Sequence, residues 1–170
     1  MATAGGCRCL PVSLIVACSV NRVIGKQGKL PWNLPADWSF FSSTTRDQVL
    51  VVGRRSFQEF DGPIPNRHTI VVSSTLERPT QAQVEAVGGR WSGVQVARML
   101  QQALHLAHTD PQYRNCSRIF IGGGERLYQE AMDAQVAESS PQFPTLTYSA
   151  KTSGGEGTTR VSFEVWSTDK

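Results

Sequence analysis

The 170-residue sequence lacks a hydrophobic run long enough to cross a membrane and has little excess charge. A membrane-spanning helix needs about 20 consecutive apolar residues. The formal net charge is +3 and charged residues make up 18% of the chain, far from the strongly basic composition of nucleic-acid-binding proteins. We therefore expect no membrane or nucleic-acid partner, and the length suits one globular domain.

The sequence also lacks the paired cysteine spacings of zinc sites and redox motifs. Its four cysteines are Cys7, Cys9, Cys18 and Cys116. Without a C-x-x-C pair, reduced thiols in a cytoplasmic protein are the expected state. The sequence predicts no metal site.

An apolar run near the N-terminus, "VSLIVAC" at residues 12–18, has two possible interpretations. With an arginine before it and small residues around it, the segment resembles a weak signal peptide. Its length and β-branched residues favour a buried strand instead. Residues 1–11 are then expected to be a flexible extension of a single domain that spans residues 1–170.

Further along the chain, strand and helix patterns alternate. Apolar runs predict strands at 48–53, 68–73 and 118–121, and a weaker one at 83–87. Helical spacing predicts helices at 35–45, 54–60, 94–108 and 125–133. Residues 146–151 and 160–166, separated by a glycine-rich loop, predict an antiparallel hairpin. The expected fold is a single α/β domain with a central, mostly parallel sheet, flanking helices and an antiparallel C-terminal hairpin.

Three of the predicted strands end in residues suited to binding anions. The segments are "IGGGERLY", "VVGRRS" and "VVSS", which place glycines, arginines or hydroxyls at a strand's carboxyl end. The glycine run does not match G-x-G-x-x-G, so the dinucleotide fingerprint is not met. A ligand with well-separated phosphates would explain all three ends together, whereas any one of them alone is better explained as a solvated turn.

A lone acid, Asp37, lies among apolar residues in "IGKQGKLPWNLPADWSFF", at residues 24–41. On a helix it would share a face with Phe40 or Phe41. If that face lines a cleft, the carboxylate could bind adjacent N–H donors of a flat heterocycle, and desolvation would raise its pKa. A plain acid that complements a helix N-terminus is an equally good interpretation.

These motifs, taken in order, closely resemble the dihydrofolate reductases. The resemblance is dense over residues 12–74, with "LPWNLPAD" the most specific block, and returns at residues 118–132 and at the closing "FEVW". It implies an NADPH-dependent oxidoreductase that reduces 7,8-dihydrofolate to 5,6,7,8-tetrahydrofolate by hydride transfer to C6 and protonation of N5. It also implies a role in one-carbon metabolism and tetrahydrofolate biosynthesis, inhibition by methotrexate, and a monomeric cytoplasmic protein.

The resemblance also implies roles for individual residues, carried over by motif. Asp37, Trp32 and Leu30 would be the catalytic positions. The substrate would contact Ile15, Ala17, Asp37, Trp38, Phe41, Ser56, Ile64 and Arg67, with Arg67 holding the carboxylate of the glutamate tail. NADPH would contact Ala17, Ile24, Gly25, Arg54, Arg55, Ser56, Ser73, Ser74, Gly123, Gly124, Glu125, Arg126 and Tyr128. The loop at residues 19–33 would close over the nicotinamide.

The sequence departs from the family's pattern in two places. Gly122 stands where a branched apolar residue usually contacts substrate and nicotinamide. After Met132 about one strand with its loop, on the order of twenty residues, is not recognisable, and we expect the hairpin to close that gap by pairing with residues 118–121. Two alternatives therefore stay open: a non-catalytic remnant that binds NADPH or antifolates, and a related pterin or pyrimidine reductase.

Overall fold

The computed structural model describes residues 9–19, 22–60, 62–86, 91–134, 146–151 and 158–167. Its strands are β1 (Val12–Ser19), β2 (Val49–Gly53), β3 (His68–Val72), β4 (Gln95–Ala97), β5 (Ile119–Ile121), β6 (Leu146–Lys151) and β7 (Thr158–Ser167). Its helices are α1 (Pro35–Thr44), α2 (Arg54–Glu59), α3 (Gln81–Ala86), α4 (Leu100–Thr109) and α5 (Glu125–Asp133), with a 3-10 turn at Pro111–Tyr113.

The strands within these ranges form a seven-stranded sheet with the order β4-β3-β2-β5-β1-β7-β6. The five strands from β4 to β1 are parallel, and β7 runs antiparallel to both β1 and β6. Parallel strands with helices on both faces carry continuous apolar sequence, which is why β2 reads "VLVVG". The predicted α/β unit with a parallel central sheet and flanking helices is confirmed.

Side-chain alternation along the strands divides the core into two layers. Val49 and Val51 pack on one face of the sheet with residues of α4 and α5. Leu50 and Val52 pack on the other face with Phe57 of α2, and the phenylalanines of α1 lie against that layer. Each fully buried aliphatic side chain of this kind contributes about 1.5–3 kcal/mol of transfer free energy.

The chain packs onto the sheet slightly before β1. Leu10 is buried, and the carbonyl of Pro11 accepts a hydrogen bond of 2.9 Å from the backbone N–H of Ile119. These two residues fall inside the expected extension at residues 1–11, whose first eight residues lie outside the described ranges. The "VSLIVAC" run forms β1, as the strand interpretation predicts.

Two sequence-based predictions are wrong. Residues 83–86 of the weak strand expected at 83–87 lie in helix α3, which begins at Gln81. The helix at 94–108 begins six residues later, at Leu100, because Gln95–Ala97 form β4 and pair with β3 at the sheet's edge. Three residues are too few for period-two alternation to be distinguished from a helical pattern, and the backbone bonds to β3 decide the outcome.

The expected pairing of the C-terminal strands with residues 118–121 is also wrong. β5 already lies between β1 and β2, so neither of its edges is free. β7 pairs with β1 instead, from Ser13 opposite Ser167 to Ser19 opposite Val161. Residues 135–145, where the sequence departs from the family's pattern, lie outside the described ranges.

Candidate active site

A cavity of about 290 Å³ opens where β1 and β5 approach their carboxyl ends. In open α/β sheets this edge is where ligands bind. Helices α1 and α2 and the loop before α1 form its other walls. The lining residues are Ile15, Val16, Ala17, Ile24, Leu30, Trp32, Asn33, Leu34, Asp37, Trp38, Phe40, Phe41, Ser56, Glu59, Phe60, Gly122, Gly123, Gly124 and Tyr128.

Asp37 gives this largely apolar cavity a half-buried carboxylate. Pro35 starts α1, and Asp37 follows in the first turn. The indole Nε1–H of the buried Trp32 donates a 3.0 Å hydrogen bond to Oδ2 of Asp37. Desolvation raises the pKa of Asp37, and the indole bond opposes part of that rise. The side chain is thus fixed in place, and its pKa is higher than that of an ordinary aspartate.

Tyr128 of α5 supplies a second polar group beside the carboxylate. Its hydroxyl donates a 2.7 Å hydrogen bond to the carbonyl of Ile15 in β1. Burial, with a smaller contribution from the negative charge of Asp37, raises the pKa of Tyr128. The phenol therefore stays protonated and remains a hydrogen-bond donor near Asp37.

An aromatic wall made of Trp38, Phe41 and Phe60 flanks the carboxylate. Neighbouring ring centroids lie 6.0–6.3 Å apart, and the planes of Trp38 and Phe41 are tilted by 28°. Trp38 is 50% exposed although it is a large apolar side chain. An aromatic surface left open beside a carboxylate suits a flat ligand that has N–H donors on one edge.

Arg67 lies next to this wall and is held rigidly. Its Nε donates to Oγ1 of Thr45 at 2.6 Å, and its two terminal nitrogens donate to the carbonyls of Ser42 (2.6 Å) and Pro65 (2.5 Å). The guanidinium carbon lies 5.6 Å from the ring centroid of Phe41. A guanidinium fixed in this way could bind a carboxylate on a ligand that extends out of the cavity.

On the opposite side, the ends of β2 and β5 come unusually close. The N–H of Gly53 donates a 2.7 Å hydrogen bond to the carbonyl of Gly123. A Cβ on Gly123, whose φ is +123°, would lie 3.1 Å from Oγ of Ser56. Glycine keeps this space open and leaves backbone groups and the N-terminus of α5 accessible, which is the chemistry of a diphosphate cradle.

Two arginines flank the turn that follows β3. Arg54 of α2 donates to Oγ1 of Thr75 at 3.1 Å, and Arg98 donates to the carbonyl of Ser74 at 2.8 Å. Oγ of Ser73 accepts the N–H of Leu76 at 2.9 Å, so this hydroxyl shapes the turn. Two guanidinium groups at one turn suit an anionic ligand, and this turn is separate from the glycine-lined space.

Comparison with known proteins agrees with this geometry. The family model for dihydrofolate reductase matches residues 11–139. This chain belongs to the dihydrofolate reductase family. It is 40% identical over 121 residues to dihydrofolate reductase type 3 of Salmonella typhimurium and 32% identical over 119 residues to dihydrofolate reductase of Bacillus subtilis (strain 168). The matches cover 71% and 70% of this chain but only 64% and 61% of those relatives.

A solved dihydrofolate reductase is similar in structure as well. The enzyme from Enterococcus faecalis, complexed with NADP(H) and RAB-propyl, superposes with a TM-score of 0.58 at 25% sequence identity. The alignment covers 93% of this chain and 95% of that one. The fold therefore matches the family over nearly the whole chain.

The cavity brings together twelve of the residues that the family resemblance assigned. They are Ile15, Ala17, Ile24, Leu30, Trp32, Asp37, Trp38, Phe41, Ser56, Gly123, Gly124 and Tyr128. The other assigned residues do not line it. These are Gly25, Arg54, Arg55, Ile64, Arg67, Ser73, Ser74, Glu125 and Arg126, of which Ile64 is buried in the core.

Sequence reasoning missed two residues near the site. Arg98 follows β4, a strand that the helical pattern concealed, so its position at a strand end could not be recognised. Glu59 lines the cavity from the end of α2 and accepts a hydrogen bond from the N–H of Leu30. No local signal marks an exposed acid at a helix end as a partner of a loop 29 residues away. Across the described part of the chain, no cluster of three metal ligands occurs and no helix is long and apolar enough to span a membrane.

Proposed function

We propose that this chain is a dihydrofolate reductase, which reduces 7,8-dihydrofolate to 5,6,7,8-tetrahydrofolate with NADPH. The observation that carries the proposal is the half-buried Asp37, held by Trp32 beside an open aromatic wall. A pteridine ring presents adjacent N–H donors at its 2-amino group and N3, and it is flat. The cavity offers one acceptor-only carboxylate and one aromatic surface, which match those two properties.

Substrate orientation follows from the two fixed charges. Asp37 accepts hydrogen bonds from the pteridine edge, while Trp38 and Phe41 contact the ring and Ile15 and Ala17 line the far wall. Arg67 binds the carboxylate of the glutamate tail at the exit. Because its Nε and two terminal nitrogens are already anchored, little side-chain entropy is lost when the carboxylate binds.

The residues at the two anion sites fit NADPH. The space beside Gly123 and Gly124, which a Cβ would fill, accommodates a diphosphate next to Ser56 and the start of α5. Arg54, Ser74 and Arg98 around the turn after β3 fit the 2′-phosphate. When bound, the cofactor supplies the hydride that C6 of the substrate receives. Ile24 and Leu30 border the cavity from the loop before α1 and exclude water from it.

The polar side chains of the cavity, Asp37, Trp32 and Tyr128, assist the protonation of N5. A carboxylate whose pKa is raised can retain a proton closer to neutral pH than an ordinary aspartate. The indole of Trp32 keeps Oδ2 of Asp37 oriented, and the phenol of Tyr128 stays a donor beside it. Asp37 thereby controls the protonation of the bound heterocycle.

The remaining features of the proposal concern the whole chain. We propose one domain over residues 1–170, with an antiparallel hairpin of β6 and β7 at its C-terminus. The protein acts as a cytoplasmic monomer and binds methotrexate in the pteridine site.

The decisive experiment mixes purified protein with NADPH and dihydrofolate and follows the nicotinamide absorbance. Absorbance should fall only when dihydrofolate is present, and methotrexate should stop the fall. Methotrexate binding alone would not distinguish an enzyme from a ligand-binding remnant. Folded protein that binds methotrexate but oxidises no NADPH would favour the remnant.

A further inference from the structure

We propose that Glu59 is a positioning residue, which holds the segment at residues 26–30 over the cavity. Its Oε1 accepts a 3.0 Å hydrogen bond from the backbone N–H of Leu30, which is 29 residues away in sequence. Both residues line the cavity. The role as a cover for the reaction rests on the proposed function, whereas the contact itself does not.

The segment held by Glu59 contains a hydrogen-bonded turn at residues 26–29, so an anchor at one end of the turn positions the whole turn. Lys26 and Lys29 exchange backbone hydrogen bonds of 2.8 and 3.1 Å around Gln27 and Gly28, which both have positive φ. This closed two-residue turn behaves as a small rigid unit. Leu30 follows it directly, so the bond to Glu59 fixes the turn at its base.

Beyond Leu30 the chain is fixed a second time. Trp32 is buried, and its indole donates to Asp37. The Leu30 N–H therefore marks the boundary between a part of the chain anchored to α1 and a turn that is exposed. Leu30 itself is 42% exposed although it is apolar, and it lines the cavity, so its side chain offers an apolar surface to a ligand there.

Glu59 acts through Leu30 and does not touch the reacting atoms. Its carboxylate lies at the last residue of α2, the helix that also carries Ser56 of the cofactor side. The bond thereby connects the covering segment to the cofactor side of the cavity. A covering segment held in this way slows the release of ligand and keeps water out during hydride transfer.

Amide hydrogen exchange of the free protein tests the contact without any ligand. Exchange at Leu30 should become roughly tenfold faster in Glu59→Ala, the scale of one hydrogen bond to a charged acceptor at an exposed site. Glu59→Gln keeps an acceptor oxygen and should show a smaller change. The Lys29 amide, bonded within the turn, and the variant Gln58→Ala, an exposed neighbour on the same helix, serve as controls that should not change.

Ligand release and turnover test the role. In Glu59→Ala, methotrexate should dissociate several-fold faster, and the single-turnover hydride-transfer rate should fall several-fold, with Glu59→Gln in between. Unchanged Leu30 exchange in Glu59→Ala would overturn the proposal. So would faster exchange with unchanged methotrexate release.

These readouts separate this proposal from the proposed function. A wild-type protein without turnover but with Glu59-dependent methotrexate release would retain the positioning role and reject the reductase activity. Normal turnover in a variant with fast Leu30 exchange would retain the reductase activity and reject the positioning role. A protein that neither turns over nor binds methotrexate would reject both, whatever the Leu30 amide shows.

Discussion

Asp37 occupies a position where its charge is unfavourable for stability and useful for chemistry. Replacing it with Asn keeps the shape and an acceptor for the Trp32 indole but removes both the charge and the proton. We expect kcat/KM for dihydrofolate at neutral pH to fall by about 10² or more, the usual scale of a general acid–base contribution. The dissociation constant of NADPH should barely change. Asp133→Asn, at an exposed aspartate of α5, is the matched control, and normal turnover in Asp37→Asn would return Asp37 to the role of a helix N-terminal acid.

The same substitution should have the opposite effect on stability. Burial raises the pKa of Asp37 above that of an ordinary aspartate, so the folded state binds a proton more readily than the unfolded state. The contribution of this group to stability is therefore complete below about pH 3.8 and is lost as the pH rises through the folded-state pKa. Asp37→Asn should have a higher Tm than the wild type at pH 7, and the difference should shrink as the pH approaches 4. A difference that stays constant across this pH range would mean that the charge is not the cause.

Side-chain packing explains why this chain has a glycine at position 122. A Cβ at this position would lie 2.8 Å from Cδ1 of Leu50 and 3.7 Å from Cε2 of Phe41. Gly122→Val should displace Leu50, destabilise the protein by roughly 1–3 kcal/mol as overpacked cores do, and narrow the cavity beside Phe41. Gly122→Ala should show a smaller loss. Denaturant unfolding measures both variants, and stability equal to the wild type in Gly122→Val would show that Leu50 rotates away freely.

At the level of elements, the sequence correctly predicts strands and helices that are long and strongly patterned. It does not predict elements of only a few residues. Strands β1, β2 and β3 are continuous apolar runs, and α5 has a clear helical period, so each was located to within a residue or two. Strand β4 has three residues and exists because β3 offers it a partner. The order of strands depends on such partners, which is why the pairing of β7 could not be predicted from local pattern.

In the candidate site, too, some residues can be located from local motifs and others only from the fold. Asp37, Trp32 and the glycine cradle belong to compact motifs, so the sequence locates them. Arg98 and Glu59 reach the site through contacts 24 and 29 residues distant in sequence, for which no local signal exists. Contacts of this kind are created by the packing of α2 and the sheet edge and become visible only in the fold.

The turn after β3 is flanked by the two arginines that we propose distinguish NADPH from NADH. Arg54 reaches across to Thr75 of that turn, and Arg98 lies on its other side. Arg54→Ala should weaken NADPH binding about tenfold or more, the scale of a charge-assisted hydrogen bond to phosphate, and should leave NADH binding nearly unchanged. Titration by nicotinamide fluorescence gives both dissociation constants. Arg114→Ala, at an exposed arginine after the 3-10 turn, is the control, and equal losses for both cofactors would place Arg54 at the diphosphate or in the fold.

At the scale of the whole molecule, β7 supports β1, the strand that lines one side of the cavity. It pairs with β1 over seven residues, and Ile15, opposite Val165, carries the carbonyl that accepts from Tyr128. Displacement of β7 would therefore reach the cavity through Ile15. Such coupling is specific to a sheet in which β1 lies directly beside the C-terminal strands.

Two proline substitutions in β7 can test this coupling. Glu164, opposite Val16, directs its backbone N–H toward β1, because Ile15 next to Val16 directs its backbone groups toward β5. Glu164→Pro therefore removes a backbone donor between β7 and β1, whereas Thr159→Pro removes one from the part that pairs with β6 and lies outside the β1 register. We expect Glu164→Pro to lower the free energy of unfolding by roughly 2 kcal/mol, since the backbone carbonyl of Val16 loses its donor, and to weaken methotrexate binding as well. Thr159→Pro should lose less stability and leave methotrexate affinity close to that of the wild type. Equal effects of the two prolines on methotrexate binding would show that β7 stabilises the sheet as a whole and does not position the cavity wall through β1.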